Sequence, residues 1–199
     1  MDWKKDLKNL YFPPANPVTV DVPPMNYLML DGHGDPNHSP EYQSVIESLF
    51  SLSYTIKFAI KKAEGSDYAV FPCEGLWWVE DMRDFSVENK ENWDWTMMIA
   101  QPSTVTAEWV ESSKKAAVKK KGLALIEQVR FEVYTEGCSA QLMHTGPYSA
   151  EAPNIAKLHD YINAQSGKKS LKHHEIYLGD VRKTAPEKLK TVIRQPYRK

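Results

Sequence analysis

Val20-Asp21-Val22-Pro23-Pro24-Met25-Asn26-Tyr27-Leu28-Met29-Leu30-Asp31-Gly32-His33-Gly34-Asp35-Pro36 is echoed later in the chain by Phe131-Glu132-Val133-Tyr134-Thr135-Glu136-Gly137-Cys138-Ser139-Ala140-Gln141-Leu142-Met143-His144-Thr145-Gly146-Pro147. Each copy reads as a strand, a turn and a second strand, followed by a glycine and a proline that break the strand and lead into a helix. Two such units in one chain predict packing about a pseudo-twofold axis, with the cleft between the halves as the natural place for a ligand.

The 199 residues, 42% of them hydrophobic, suffice for one domain built from two fused halves. The expected organisation is an arm over residues 1–17 and a single domain over 18–199, whose halves cover 18–105 and 129–199 and are joined by a helix. A formal net charge of -1 argues against general affinity for nucleic acid or membranes, because counterion-release binding needs a strongly basic surface. The basic runs at 114–121 and 182–199 read as a solvated helix face and a polar tail. Cys73 and Cys138 form no Cys-x-x-Cys pair, and Met1-Asp2-Trp3-Lys4-Lys5-Asp6 lacks the apolar run of a signal peptide. No stretch approaches the roughly 20 apolar residues that span a bilayer. A cytoplasmic protein with free thiols is the expectation.

The arm is expected to end at Pro13-Pro14, to pack on the surface and to carry little chemistry. Ser39 and Pro40 read as the cap and first position of a helix whose buried stripe is Tyr42, Val45, Ile46, Leu49, Phe50 and Leu52. Gly65-Ser66-Asp67 ends it, and 68–79 reads as a strand with an irregularity between Pro72 and Gly75. A strand over 94–100 follows. Thr106 then caps a connecting helix with acids early and lysines late, as the helix dipole prefers. The second half reads as a strand pair over 129–143, a turn at Gly146-Pro147, a helix over 150–164, a strand over 174–178 and a closing strand over 191–194. The predicted fold class is α+β: two strand-helix-strand-strand units with pseudo-twofold symmetry, their antiparallel sheet carrying helices on one face.

Trp77, Trp78, Trp93 and Trp95 stand on two strands that read as neighbours, and such a density of indoles offers flat, electron-rich walls for planar or cationic ligands. Any one of them also reads as core. Trp77 and Trp78 are adjacent on a strand and must point to opposite faces. Glu175 sits mid-strand and shares a face with His173 and Tyr177. If that face lines an aromatic cavity, desolvation is expected to raise the Glu175 pKa, making the carboxyl an anchor for a ligand cation or an acid and base for water. His173-His174 with Glu175, and His33 with His38, lack a recognised zinc or iron spacing, so neither metal nor other cofactor is expected. Ser139, Ser149 and Cys138 lack the sequence context of a nucleophile. Gly32-His33-Gly34 falls short of a dinucleotide fingerprint and reads as strand-turn punctuation.

Met25-Asn26-Tyr27-Leu28-Met29-Leu30-Asp31-Gly32-His33-Gly34-Asp35-Pro36, Glu74-Gly75-Leu76-Trp77-Trp78, Trp93-Asp94-Trp95-Thr96-Met97-Met98-Ile99, His144-Thr145-Gly146-Pro147-Tyr148 and His173-His174-Glu175-Ile176-Tyr177-Leu178, with the tail Lys190-Thr191-Val192-Ile193-Arg194, resemble the GyrI-like small-molecule-binding family. The double-His and Gly-Leu-Trp-Trp elements resemble a stand-alone subgroup that includes cyclopropanoid hydrolases. The resemblance implies a duplicated fold with a ligand cleft between its halves. In relatives fused to DNA-binding regulators, the acid matching Glu175 receives cationic aromatic drugs. Here no additional helix-turn-helix fits, so a complete transcription factor is not expected.

Some stand-alone members hydrolyse cyclopropane-bearing DNA alkylators within an aromatic cage. By that resemblance Glu175 and Tyr177 are the catalytic candidates, while Trp77, Trp78, Trp95, Met97 and Tyr148 are the ligand-binding ones, with Tyr148 covering the cleft mouth. The implied function is binding of aromatic or cationic xenobiotics and cofactor-independent hydrolysis for detoxification. The alternative is a non-catalytic protein that sequesters drugs or modulates a protein partner such as gyrase.

Overall fold

The computed structural model describes residues 2–80 and 90–199. Two short helices, α1 (Trp3–Asp6) and α2 (Lys8–Tyr11), precede β1 (Val18–Val22) and β2 (Met25–His33). There follow α3 (Pro40–Glu64), β3 (Cys73–Trp78), β4 (Asp94–Gln101), the connecting α4 (Ala107–Lys121), β5 (Arg130–Tyr134), β6 (Gly137–Thr145), α5 (Ala152–Ala164), a two-residue β7 (Lys168–Lys169), β8 (His173–Tyr177) and β9 (Lys190–Arg198). The class is α+β.

The antiparallel sheet runs β1-β6-β9-β8-β3-β4-β2-β5, with β7 pairing β9. Exchanging β1 with β5, β2 with β6, β3 with β8 and β4 with β9 returns the same order reversed, so the pseudo-twofold axis passes between β3 and β8, where Gly75 faces Glu175. The repeated strand pairs are not hairpins. β1 lies on β6, with Val20 opposite Ser139, and β5 lies on β2, with Phe131 opposite Leu28. Each half lends its first strand to the other, and the Pro23-Pro24 step lets β1 and β2 part.

Helices α3 and α5 lie on one face. Tyr42 of α3 packs against Trp77 and Trp95, and Leu158 and Ile162 of α5 pack with Leu142 and Ile193. Cross-strand register puts Trp77, Trp95, Gly75, Glu175 and Ile193 on that same side. Of the stripe expected on α3, Val45, Leu49 and Leu52 are buried and Tyr42, Ile46 and Phe50 partly buried, while Ile56 and Ile60 extend it; each buried side chain contributes roughly 1.5–3 kcal/mol of transfer free energy. Gly65 closes the helix in the left-handed conformation at φ +70°. Ser39 holds the N-cap position without a side-chain hydrogen bond, whereas Thr106 caps α4 by accepting from the Trp109 amide.

Two expectations are corrected. Residues 68–72 are not strand, and β3 starts only at Cys73. The arm does not merely rest on the surface: Trp3, Leu10 and Tyr11 are buried in the main core, against the sheet face opposite the helices. There the Trp3 indole donates to the Val70 carbonyl and packs on Phe71. Among the described residues no helix is long and apolar enough to cross a membrane.

Candidate functional site

The site lies where β3 and β8 cross the pseudo-twofold axis, on the helix-bearing face. Strand alternation sends His173, Glu175 and Tyr177 into it from β8, and Cys73 and Trp77 from β3. The Trp77 Nε1–H donates to the Tyr177 hydroxyl at 3.1 Å, and that hydroxyl donates to Glu175 Oε2 at 2.8 Å. On the other side His173 Nε2 meets Glu175 Oε1 at 3.0 Å. The carboxylate is thus clamped between an imidazole and a phenol, its side chain only 14% exposed.

Two glycines make room for the indoles. A Cβ on Gly75 would lie 2.8 Å from Trp77 Nε1, and one on Gly32 would lie 2.0 Å from Trp95 Cη2. Gly32 is therefore the seat of the Trp95 ring rather than turn punctuation, whereas Gly34, at φ +89°, does mark the turn. Tyr42 stands edge-on to Trp95 at 5.3 Å, Trp93 edge-on to Trp77 at 5.5 Å, and Tyr148 edge-on to Tyr177 at 5.4 Å. Tyr148 is 38% exposed, on the solvent side of the largely buried Glu175 and Tyr177 pair. Met97 is buried on the same face, opposite Gly75.

The structure thus brings together Glu175, Tyr177, Trp77, Trp95, Met97 and Tyr148. Trp78 alone is elsewhere: it points to the reverse face, beneath the Lys172 ammonium. Sequence reading missed two participants. The helical spacing of Tyr42 marks it only as helix core. Glu151, directly before α5, is buried with one carboxyl oxygen unpartnered. Its clue is an acid four residues beyond Pro147 of the Gly-Pro break, in a repeat whose cleft faces the partner half.

The electrostatics reverse an expectation. Burial alone would raise the Glu175 pKa, but the hydrogen bonds from His173 and Tyr177 and the His173 charge outweigh it, and the pKa is held below the usual carboxylate value. The raised acid is Glu151, lifted to about 9 by burial and then by the Glu175 charge. Burial, followed by the Glu175 charge, also keeps the Tyr177 phenol protonated. The Cys73 thiol, opposite Tyr177, is pushed up to about 12 by burial and is not a nucleophile at neutral pH. His144 is a structural strand residue, held by Asn154 and the Pro147 carbonyl.

Behind this site, on the reverse face, lies a buried ionic cluster. His174 places Nε2 3.0 Å from Glu74 and Nδ1 2.9 Å from Glu136, and Glu136 accepts from Arg194 Nη1 at 3.0 Å. Tyr11 donates to Glu74 at 2.8 Å, Arg194 Nη2 donates to the Leu10 carbonyl at 2.7 Å, and Gln141 donates to the Asn9 carbonyl at 2.7 Å. With both ring nitrogens on carboxylates, His174 is an imidazolium, its pKa raised to about 9 by the acids despite burial. Glu136, for the mirror reason, is held at about 2. Two anions and two cations balance, and the arm is fastened to them.

A family model described as GyrI-like small molecule binding domain matches residues 15–198. Among solved structures, an uncharacterized conserved protein from Listeria innocua shares 39% identity, with all of both chains covered and a TM-score of 0.92. A hydrolase from Listeria innocua shares 37% identity over all of both chains, with a TM-score of 0.87. The hydrolase encoded by lin2189 from the same organism shares 38%, covering 100% of this chain and 99% of that one, at 0.89. At 14% identity and a TM-score of 0.58, the C-terminal domain of EcmrR shares the fold. No curated protein matches.

Proposed function

This chain belongs to the GyrI-like small-molecule-binding domain family, and on that premise we propose that its cleft binds flat aromatic xenobiotics and hydrolyses strained, electrophilic rings in them, cyclopropane-bearing DNA alkylators above all. The observation that carries the reading is the carboxyl pair: Glu151 protonated and Glu175 ionised in one aromatic-walled cleft. Two relatives sharing more than a third of this sequence are described as hydrolases, which supports turnover over simple capture.

The chemistry asked of the site is modest. Glu151 donates its proton to a carbonyl conjugated with the three-membered ring, which weakens the ring bond being broken. Water forms the new C–O bond, the cleaved C–C pair moves toward the protonated oxygen, and the water's proton passes to the Glu175 and His173 pair before returning to Glu151 through solvent. Tyr177 orients Glu175, and the indoles of Trp77 and Trp95 stabilise positive charge developing on the attacked carbon. Tyr148, packed edge-on against Tyr177, would have to turn aside for a substrate to reach Glu175.

Glu175 already has its partners, so the favoured ligand is a neutral molecule with a hydrogen-bond acceptor rather than a bare cation. The test is chromatography of a cyclopropane-bearing alkylator with protein at one-hundredth of its concentration. Complete conversion to the ring-opened hydrate is expected. Conversion that stops at one equivalent would leave sequestration as the function.

A further inference from the structure

The reverse face carries a hollow of about 220 Å³ that the chemistry at Glu175 does not use. Its floor is Met29, Leu76 and Trp78, and its rim includes Asp31, Arg130 and Lys172. Register separates it from the cleft: Trp78 and Leu76 alternate with Trp77 and Gly75 along β3, so the two sites are back to back across one layer of sheet.

The chain itself shows what this face does when it is covered. In the repeat, β2 positions Met29 and Asp31 correspond to Gln141 and Met143 of β6. In that second half the arm roofs the sheet, with the Asn9 carbonyl on the Gln141 side chain and the Leu10 carbonyl on the Arg194 guanidinium. Among the described residues the arm does not cross the strip in the first half; there Met29 and Leu76 are already buried, at 4% and 3% exposed, and the open apolar surface is Val133 at the edge, 63% exposed.

Charge selects the occupant. Arg130 is spent, with Nη2 on both Asp31 oxygens at 2.7 and 2.8 Å and Nη1 on both Glu132 oxygens at 3.0 Å. Asp31 accepts also from the Thr96 hydroxyl at 2.7 Å. The Lys172 ammonium, by contrast, rests 3.1 Å from the Trp78 ring centroid and has no carboxylate within ion-pair distance among the described residues. An indole face orders an ammonium without neutralising it, and leaves its donors for an anion.

We propose that this reverse-face hollow is a second ligand site that takes a small apolar carboxylate, its anion on Lys172 and its hydrocarbon body against Val133 and Tyr134, above the buried Met29 and Leu76. The volume is below the roughly 300 Å³ of a drug-sized pocket, which limits the ligand to one or two fused rings or a short acyl chain. The site is independent of the hydrolytic reading of the cleft, where the ionised Glu175 repels anions.

Calorimetric titration with naphthoate and its neutral amide tests this, alongside ¹⁵N spectra of the indole N–H groups. Naphthoate is expected to bind at submillimolar concentration, to shift the Trp78 indole resonance and to leave that of Trp77 in place. Lys172→Met is expected to weaken naphthoate at least about tenfold while leaving the amide unchanged, and Lys172→Arg to retain binding. Trp77→Leu, which alters only the cleft side, is expected to leave naphthoate affinity intact. No binding at about 1 mM, a shift at Trp77 without one at Trp78, or a Lys172→Met protein that is folded by circular dichroism and binds as wild type would overturn the proposal.

Discussion

Glu175 keeps its negative charge while Glu151, buried at the same cleft, keeps its proton. Two neighbouring carboxyl groups in a dry site cannot both ionise cheaply, and here the hydrogen bonds decide which one does. Glu175 has an imidazole and a phenol beside it, whereas Glu151 has an orphaned oxygen.

Glu151→Gln is accordingly expected to preserve the fold and lower hydrolysis by about 10²- to 10⁴-fold, the range of a positioned proton donor. In the wild type the rate should fall as pH rises through about 9, where Glu151 loses its proton. The variant's residual rate should lack that limb. A pH–rate profile of both proteins checks the assignment, and an unchanged alkaline limb in Glu151→Gln would move the acid elsewhere.

Stability should depend on pH at both ends. His174 has a folded pKa of about 9 against an ordinary 6.5, so its contribution is complete below about pH 6.5 and is lost as pH rises through 9. Glu151, also raised to about 9, fades over the wider span from its ordinary 4.5 upward. Glu136 is depressed to about 2, so its contribution is present above about pH 4.5 and disappears as pH falls through 2. Urea midpoints are expected to decline on both the alkaline and the acid side, and Glu151→Gln should flatten the alkaline decline.

His174→Gln should cost about 3–5 kcal/mol, because it leaves Glu74 and Glu136 buried beside a single cation, Arg194. Tyr11→Phe should cost about 1–3 kcal/mol through the lost hydrogen bond to Glu74. Urea denaturation measures both. A neutral Tyr11→Phe would return the arm to the decorative role its composition suggests.

Gly32→Ala should destabilise by roughly 1–3 kcal/mol, since its methyl would occupy the space of the Trp95 ring. Trp95 cannot retreat, with Tyr42 packed edge-on against it. Tryptophan emission and ligand quenching should change together. An alanine tolerated without loss would mean that the indole has room to tilt.

The fold class and the cleft strand were legible because they rest on short-range regularities: the repeat, the helical spacing from Tyr42 to Leu52, and the alternation that set Glu175 beside His173 and Tyr177. What stayed hidden depends on contacts across the fold. Nothing near Arg194 announces that it will meet Leu10 and Glu136 inside the protein, and Leu10 looks like any arm residue until the sheet is assembled. The sign of the Glu175 shift was out of reach for the same reason, since desolvation can be foreseen from a cavity but the competing hydrogen bonds cannot.

The strand exchange between halves bears on how the chain reaches this state. β1 has its partner in β6 and β5 has its partner in β2, so each half's outer strand waits for a segment from the other repeat. Such pairings close long loops before any contact rewards them, which favours slow, all-or-none folding over sequential assembly of two modules. Cut in the segment between α4 and β5, the chain should therefore yield two fragments that are each unstructured alone and that fold by complementing one another when mixed.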